Sequence, residues 1–407
     1  MKHSWIRRTL VSLLVTHLAA SAAGAAQPPK TVRVACDHGE SIRAELDRAN
    51  NDRGLIIEFS GTCVERFLIT RDDVTLRGVG DNPTIVGQVA LRGSNRIRLE
   101  DFLVRDTDGP PEVFRPEGDG INILASTDVV IRRVTVQDTV RRGISVEGST
   151  VTLADSTVLR ATGVGFIAMS SYVIIDGTVR VNDGLITGVC IAMSGHVFVK
   201  AGATLIANNN LNGVLAEVSG VLTLALQTRL EANGNRNVGL GVTSGGTAIF
   251  ADATMEFNNN QGIGLLVTEV SSFGPFGASN VRLDASNNGF AGILALRSSV
   301  VNVQHGTTIH NNSGPGLLIE DSRAAVQGTS ITGNGLDVFV IFNGRATLGP
   351  DNQFGSGIVC DETALVGGTA TCAAAAGPTS SPEALRARID GYLKNLSSPA
   401  TAPSGGF

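Results

Sequence analysis

The sequence predicts an all-β fold, a single-stranded right-handed parallel β-helix of about ten coils. An N-terminal capping helix and a C-terminal amphipathic helix are expected at its ends. Three observations carry this. A glycine followed by alternating apolar residues recurs down the chain at intervals of 22 to 28 residues. Each interval holds two further short strand-like runs and no helical pattern. Asparagines gather just before the recurring glycine.

The first residues stand apart from the repeat. Lys2, Arg7 and Arg8 precede an apolar run from Leu10 to Ala20 and the small-residue stretch Ser21 to Ala26. That is the layout of a secretory signal over 1–26, cut near Ala26. No later run is long and apolar enough for a membrane span. The expected location is therefore outside the cytoplasm, in a periplasm or beyond the cell.

Residues 27–372 are read as the β-helix. Ser41 to Asn50 reads as an amphipathic cap with Ile42, Leu46 and Ala49 on one face. The repeat opens at Gly120-Ile121-Asn122-Ile123 and returns at Gly143, Gly165, Gly188, Gly213, Gly239, Gly264, Gly292 and Gly316. A variant without glycine follows at Val338-Phe339-Val340. A unit of three short strands cannot bury its apolar face alone, so the units must stack. At about 4.8 Å per coil the rod is on the order of 50 Å long.

Asn208 to Asn210, Asn258 to Asn260, Asn287-Asn288, Asn311-Asn312 and Asn334 are expected to form a ladder from coil to coil. Asp101, Arg132, Arg133, Asp155, Asp176 and Lys200 recur at one turn and are expected to pair along the rod. Residues 373–407 read as a Pro/Ser linker, a second amphipathic helix from Glu383 to Leu396, and a disordered tail.

Cysteine positions fit export. Cys36 and Cys63 flank the N-terminal segment, and Cys360 and Cys372 the C-terminal one, spacings that suit two end-stapling disulfides. Cys190 is left over and reads as a small buried hydrophobe. The net charge is −5, without a basic stripe, which argues against a nucleic-acid partner.

The stretch from Gly39 to Ala49, then Gly61-Thr-Cys-Val-Glu65, then Asp73-Val-Thr-Leu-Arg-Gly-Val-Gly80, resembles the N-terminal segment of the pectin-lyase-like superfamily. The resemblance covers roughly residues 31 to 372 and implies the fold. It does not fix the reaction, because that superfamily includes lyases, glycosidases, epimerases, esterases and adhesins. Gly195-His196-Val197 lacks the second glycine of the polygalacturonase motif, and no Asp-Asp pair lies in the core coils. Of the pectin methylesterase motifs only Gly61 to Glu65 and Gln137-Asp138-Thr139-Val140 are echoed. The Asp-Pro-His-Asp of mannuronan epimerases is absent.

One polar concentration remains. The insertion from Arg105 to Asp119 precedes the strand opened by Gly120, and the next coil supplies Asp138, Arg141 and Arg142 at the equivalent turn. With Ile121 and Ile123 pointing inward, Asn122, Ser145 and Glu147 point outward beside them. β-Elimination of a uronic acid needs a cation against the carboxylate and a base for the C5 proton. The resemblance implies calcium on carboxylates, with an arginine or lysine base. Asp106, Asp108 and Asp119 are the candidate calcium ligands. Arg141, Arg142 and Glu147 are the candidate catalytic residues, and Arg115, Asn122 and Asp138 the candidate substrate contacts.

The outward face of the later glycine-led strands argues the other way. Ile167, Cys190, Leu215, Leu266, Leu294, Leu318 and Phe339 make it apolar, and after Trp5 the chain holds two tyrosines and no tryptophan to stack on sugar. Such a stripe needs a cover. The helix from Glu383 to Leu396 or a second subunit would supply one. Two functions follow from the sequence: a protein that binds or modifies acidic polysaccharide, with lyase-type elimination as the reaction, or a non-catalytic scaffold or adhesin whose apolar face docks its own tail or a partner.

Overall fold

The computed structural model describes residues 28–49, 54–105, 118–276, 280–368 and 371–374, together with Arg386, Ala387 and Asp390. The chain winds into a parallel β-solenoid of about 13 turns. Three sheets run its length, of fifteen, fourteen and thirteen strands. Each coil contributes one strand to each, as Ile121–Leu124, Thr127–Arg132 and Thr135–Gln137 do. All described pairings between these sheets' strands are parallel, each with the strand one coil away.

About ten coils were expected, and the count is corrected upward. The glycine that marks the repeat is missing from the first coils: Phe67–Ile69 and Val89–Arg92 join the fourteen-stranded sheet behind Arg66 and Gln88. At the other end Ile358–Cys360, led by Gly357, adds one coil beyond Val338-Phe339-Val340.

Alternation along each strand builds the core. In the glycine-led sheet the inward residues stack in one column from Phe67 through Ile144, Leu240 and Leu317 to Ile358, all buried. The column closes tightly because of the glycines. A Cβ on any of those from Gly143 to Gly292 would stand 2.5–2.8 Å from the carbonyl oxygen of the next glycine in the column. Close approach of coils, rather than a left-handed backbone, is what requires glycine here.

The asparagine ladder forms as expected and is continuous. The Oδ1 atoms of Asn235, Asn260, Asn288, Asn312 and Asn334 each accept the backbone N–H of the ladder asparagine one coil earlier, at 2.8–3.0 Å. A second, parallel row runs through Asn182, Asn208, Asn233 and Asn258. The inner row ends on Asp337, which stands in register with Gly316 and accepts from Asn334 Nδ2 at 3.1 Å. Asp337 thus occupies the glycine position of the last rung, where its carboxylate closes the ladder.

Of the expected ion ladder two pairs form, while Asp155 accepts the Thr178 N–H at 3.1 Å. Arg133 grips Asp101 through Nε and Nη2 at 2.5 and 2.8 Å, and Lys200 reaches Asp176 at 2.9 Å. The same two-pronged pairing joins Arg96 to Asp73 and Arg160 to Asp138. These pairs are largely exposed, so each contributes little to stability.

The N-terminal helix spans Ile42–Arg48, with Ser41 as its cap. Glu65, from the partial Gly-x-x-x-Glu echo, accepts from Ser41 Oγ at 2.7 Å and from the Ile42 and Arg43 N–H groups. A motif that could have carried chemistry here caps a helix. Cys36 and Cys63 are bonded to each other, as are Cys360 and Cys372. Two disulfides fit a chain that folds in an oxidising compartment.

Residues 1–27, where a signal segment is expected, and most of the tail lie outside the described residues. Arg386, Ala387 and Asp390 are helical. Arg386 meets Glu320 at 3.4 Å and lies over the Phe342 ring, and Asp390 meets Arg297 at 3.5 Å. Among the described residues no helix is long and apolar enough to cross a membrane.

Candidate functional site

Parallel pairing brings the first two glycine-led turns together. The Gly120 N–H donates to the Arg142 carbonyl at 2.9 Å, and the Arg141 N–H donates to the Gly118 carbonyl at 3.0 Å. Asp119 and Arg142 therefore occupy equivalent positions one coil apart, each just before its glycine. On the strands that follow, Asn122 stands in register with Ser145.

Asp119 is completely buried. Asn122 Nδ2 donates to its Oδ2 at 3.2 Å, while Oδ1 has no hydrogen-bond partner. Burial pushes its carboxyl up to about 6, against the opposing pull of Arg142, Arg141 and Asn122. Arg142 is half-buried, and loss of solvent lowers its affinity for its proton, with Asp119 acting in the other direction. Its Nη1 donates to Ser145 Oγ at 3.2 Å. The result is a carboxyl that titrates near neutrality beside a guanidinium that stays charged.

Four sequence-chosen residues thus converge: Asp119, Asn122, Arg141 and Arg142, joined by Ser145. Glu147 is exposed at the end of the Ser145 strand, within the field of Arg142. Asp138 is engaged elsewhere, in its exposed two-pronged pair with Arg160, which holds its carboxyl below the usual range. Asp106, Asp108 and Arg115 lie outside the described residues.

Among the described residues the fit to calcium is poor. Calcium takes roughly six to eight oxygen ligands. Here one orphaned carboxylate oxygen sits beside two arginines. Among the described residues the one carboxylate–thiol grouping compact enough for a metal is Cys36, Cys63 and Glu65. Those cysteines are disulfide-bonded and Glu65 caps the helix. No step is assigned to a metal.

Two coils on, Cys190 continues the column of Asn122, Ser145 and Ile167. It is buried and donates through Sγ to Glu217 Oε1 at 3.4 Å. Burial, and then the neighbouring carboxylate, push its thiol well up, so it is no thiolate nucleophile. This agrees with its reading as a small buried residue. The burial of Asp119 had no signal in the sequence, where an aspartate before a glycine in a polar insertion reads as exposed.

No protein-family model matches the chain, and no curated protein matches it in sequence. Its likeness to solved structures is of fold. The A-module of a mannuronan C-5 epimerase of Azotobacter vinelandii is 17% identical over 83% of this chain and 95% of that one, with a TM-score of 0.47. The catalytic unit of a GH87 α-1,3-glucanase of Streptomyces thermodiastaticus is 15% identical over 88% and 72%, with a TM-score of 0.47. The receptor-binding domain of the siphovirus 9NA tailspike is 8% identical over 88% and 79%, with a TM-score of 0.48. All three share the β-helical fold, which is as far as the likeness goes. At these identities the likeness is silent on reaction and residues.

Proposed function

We propose that the protein engages an acidic polysaccharide across its first glycine-led coils, and that β-elimination is the reaction this patch supports. The observation that carries the reading is the buried Asp119 beside Arg142. A carboxyl whose ionisation is made costly, next to a half-buried cation, is an arrangement that structure alone does not require. In this reading Arg142 meets the uronate carboxylate and withdraws charge from C5. Glu147 takes the C5 proton as the C4–C5 double bond forms and the glycosidic oxygen leaves with a proton from water. Asn122, the less buried of the two, offers a hydrogen bond to a hydroxyl, and Ser145 holds Arg142 in place. Asp119 is closed to solvent as the chain stands, so it positions Arg142 rather than touching the sugar.

The test is incubation of the full chain with pectate, alginate and a glycosaminoglycan, following the absorbance of the unsaturated product. Activity that falls at least a hundredfold in Arg142→Gln supports the proposal. No product and no binding on any of the three polymers overturns it.

A second reading has its own observation. Leu266, Leu294, Leu318 and Phe339 point outward yet are fully buried, and Arg386 and Asp390 pair with Glu320 and Arg297 beside them. Here the apolar face is a docking surface held by residues 383–396, and the rod is a scaffold. Charge reversal at Arg297 should expose the face to a hydrophobic dye and speed hydrogen exchange in that segment. Unchanged dye binding and exchange would count against it.

A further inference from the structure

The fifteen-stranded sheet begins with a ladder of alternating charge. Arg33, Glu58, Arg77, Glu100 and Arg132 stand in successive register on its outer face. Arg33 pairs with Glu58 at 3.4 Å, and Arg77 reaches Glu58 at 4.0 Å and Glu100 at 3.0 Å. Stacking one coil apart places such residues about 4.8 Å from one another. Opposite charges at that spacing attract and like charges repel.

Near the other end of the same sheet the rule is broken. Arg323 stands directly in register with Arg345. Among the described registers this is the one place where a cation faces a cation. Both are exposed, their register neighbours are Val300 and Leu365, and neither makes an ion pair among the described residues. Beside them lies a cavity of about 360 Å³, lined by both arginines with Ser298, Ser322, Asn343 and Asp321. Asp321 is the one acid in this lining, and Ser298 Oγ donates to its Oδ2 at 3.4 Å.

We propose that this cavity is a binding site for an oxyanion carried on a hydroxylated molecule, an acidic sugar unit. The two guanidinium groups clamp the carboxylate or sulfate, whose charge relieves their repulsion. Asp321, Asn343 and the serines supply acceptors and donors for the hydroxyls. The site lies on a different sheet from Asp119 and Arg142 and many coils away. It binds whether or not the first coils carry out chemistry.

The experiment is calorimetric titration of the full chain at low salt with tetragalacturonate, a sulfated tetrasaccharide, inorganic sulfate and a neutral tetrasaccharide. Acidic sugar should bind, weaken steeply with salt, and lose roughly tenfold or more in affinity in Arg323→Ala/Arg345→Ala. The carboxylated and sulfated sugars distinguish the two sources of the anion. Arg345→Glu extends the test. It restores the alternation seen at the other end of the sheet, so it should bind no acidic sugar while melting at or above the parent temperature, which separates lost binding from lost fold. Unchanged affinity in the double variant overturns the proposal. So does binding of inorganic sulfate as tightly as the sugars, or equal binding of the neutral sugar. If Arg142→Gln abolishes acidic-sugar binding while the double variant retains it, the site of this proposal fails and the first-coil reading stands.

Discussion

Replacing Asn260 with alanine tests whether the corner ladder holds the rod together. Asn260 is buried, and its Oδ1 accepts both the backbone N–H and the Nδ2 of Asn235, at 2.9 and 3.1 Å. Its Nδ2 donates to Asn288 Oδ1 at 3.1 Å. Its own N–H also donates to that oxygen, and this bond survives truncation. The substitution therefore strands two donors on Asn235, which is itself fully buried and out of reach of water. At about 1–3 kcal/mol for each orphaned buried group, the loss is roughly 4 kcal/mol, before any term for the small cavity. In a solenoid each coil is stabilised by its neighbours, so the damage should be local. Hydrogen exchange should accelerate in the peptides covering residues 229–267 and little in the first coils. The urea midpoint should fall for the transition those peptides report. A loss under about 1 kcal/mol, or exchange raised equally along the rod, would refute the reasoning, because it would mean that water replaces the ladder's hydrogen bonds at no cost.

Gly239→Ala places a Cβ 2.6 Å from the Gly264 carbonyl oxygen and 2.8 Å from that of Ala232, with backbone on both sides; it should cost about 3 kcal/mol or more, read as a fall in the urea midpoint. Asp119→Asn should act with the opposite sign and depend on pH. The folded carboxyl titrates at about 6 against 3.8 unfolded, so the fold favours the protonated form. Its stabilising contribution is present below the unfolded value and lost as pH rises through 6, a difference of roughly 3 kcal/mol. The asparagine variant should therefore match the parent near pH 3.5 and exceed it at pH 8, by urea titration at both. Arg133→Ala removes a two-pronged but exposed pair and should change stability by under about 1 kcal/mol, an effect that vanishes in added salt.

The solenoid was legible because its signals are local and repeated. A glycine that must let two coils touch, and an asparagine that must reach one coil on, recur at the repeat spacing whatever the turns between them do. Coils are missed at the start of the rod where that glycine is absent, since Phe67–Ile69 and Val89–Arg92 form the same sheet behind Arg66 and Gln88 rather than a glycine. The polar patch was located from its insertion and its outward alternation. Its electrostatics were not, because the sequence cannot say that Asp119 faces Asn122 inside the wall while Asp138 turns out to Arg160. The stacking of Arg323 on Arg345 was hidden for a related reason. Register in a solenoid depends on the lengths of turns between strands, and only the folded chain shows which side chains those lengths bring level.

The candidate site falls where the ladder does not reach. The inner asparagine row runs from Asn210 to Asn334, and in the coils before it the same corner carries Thr139, Val140 and Thr162 instead. Thr139 is fully buried with its hydroxyl unpartnered, and Val140 is exposed. A ladder asparagine fixes its turn by bonding the coils on either side, so a turn inside the ladder cannot vary without breaking bonds in two neighbours. Outside it the corner is free to take an insertion such as residues 105–119 and to seat a carboxyl at a cost the rest of the wall supports. That division explains why charge is stored at Asp119 and Arg142 while the equivalent positions later in the rod hold Val238, Ile263 and Ala291. Ladder-bound corners stabilise the last coils, and in the first coils the same corner is left open to carry a site.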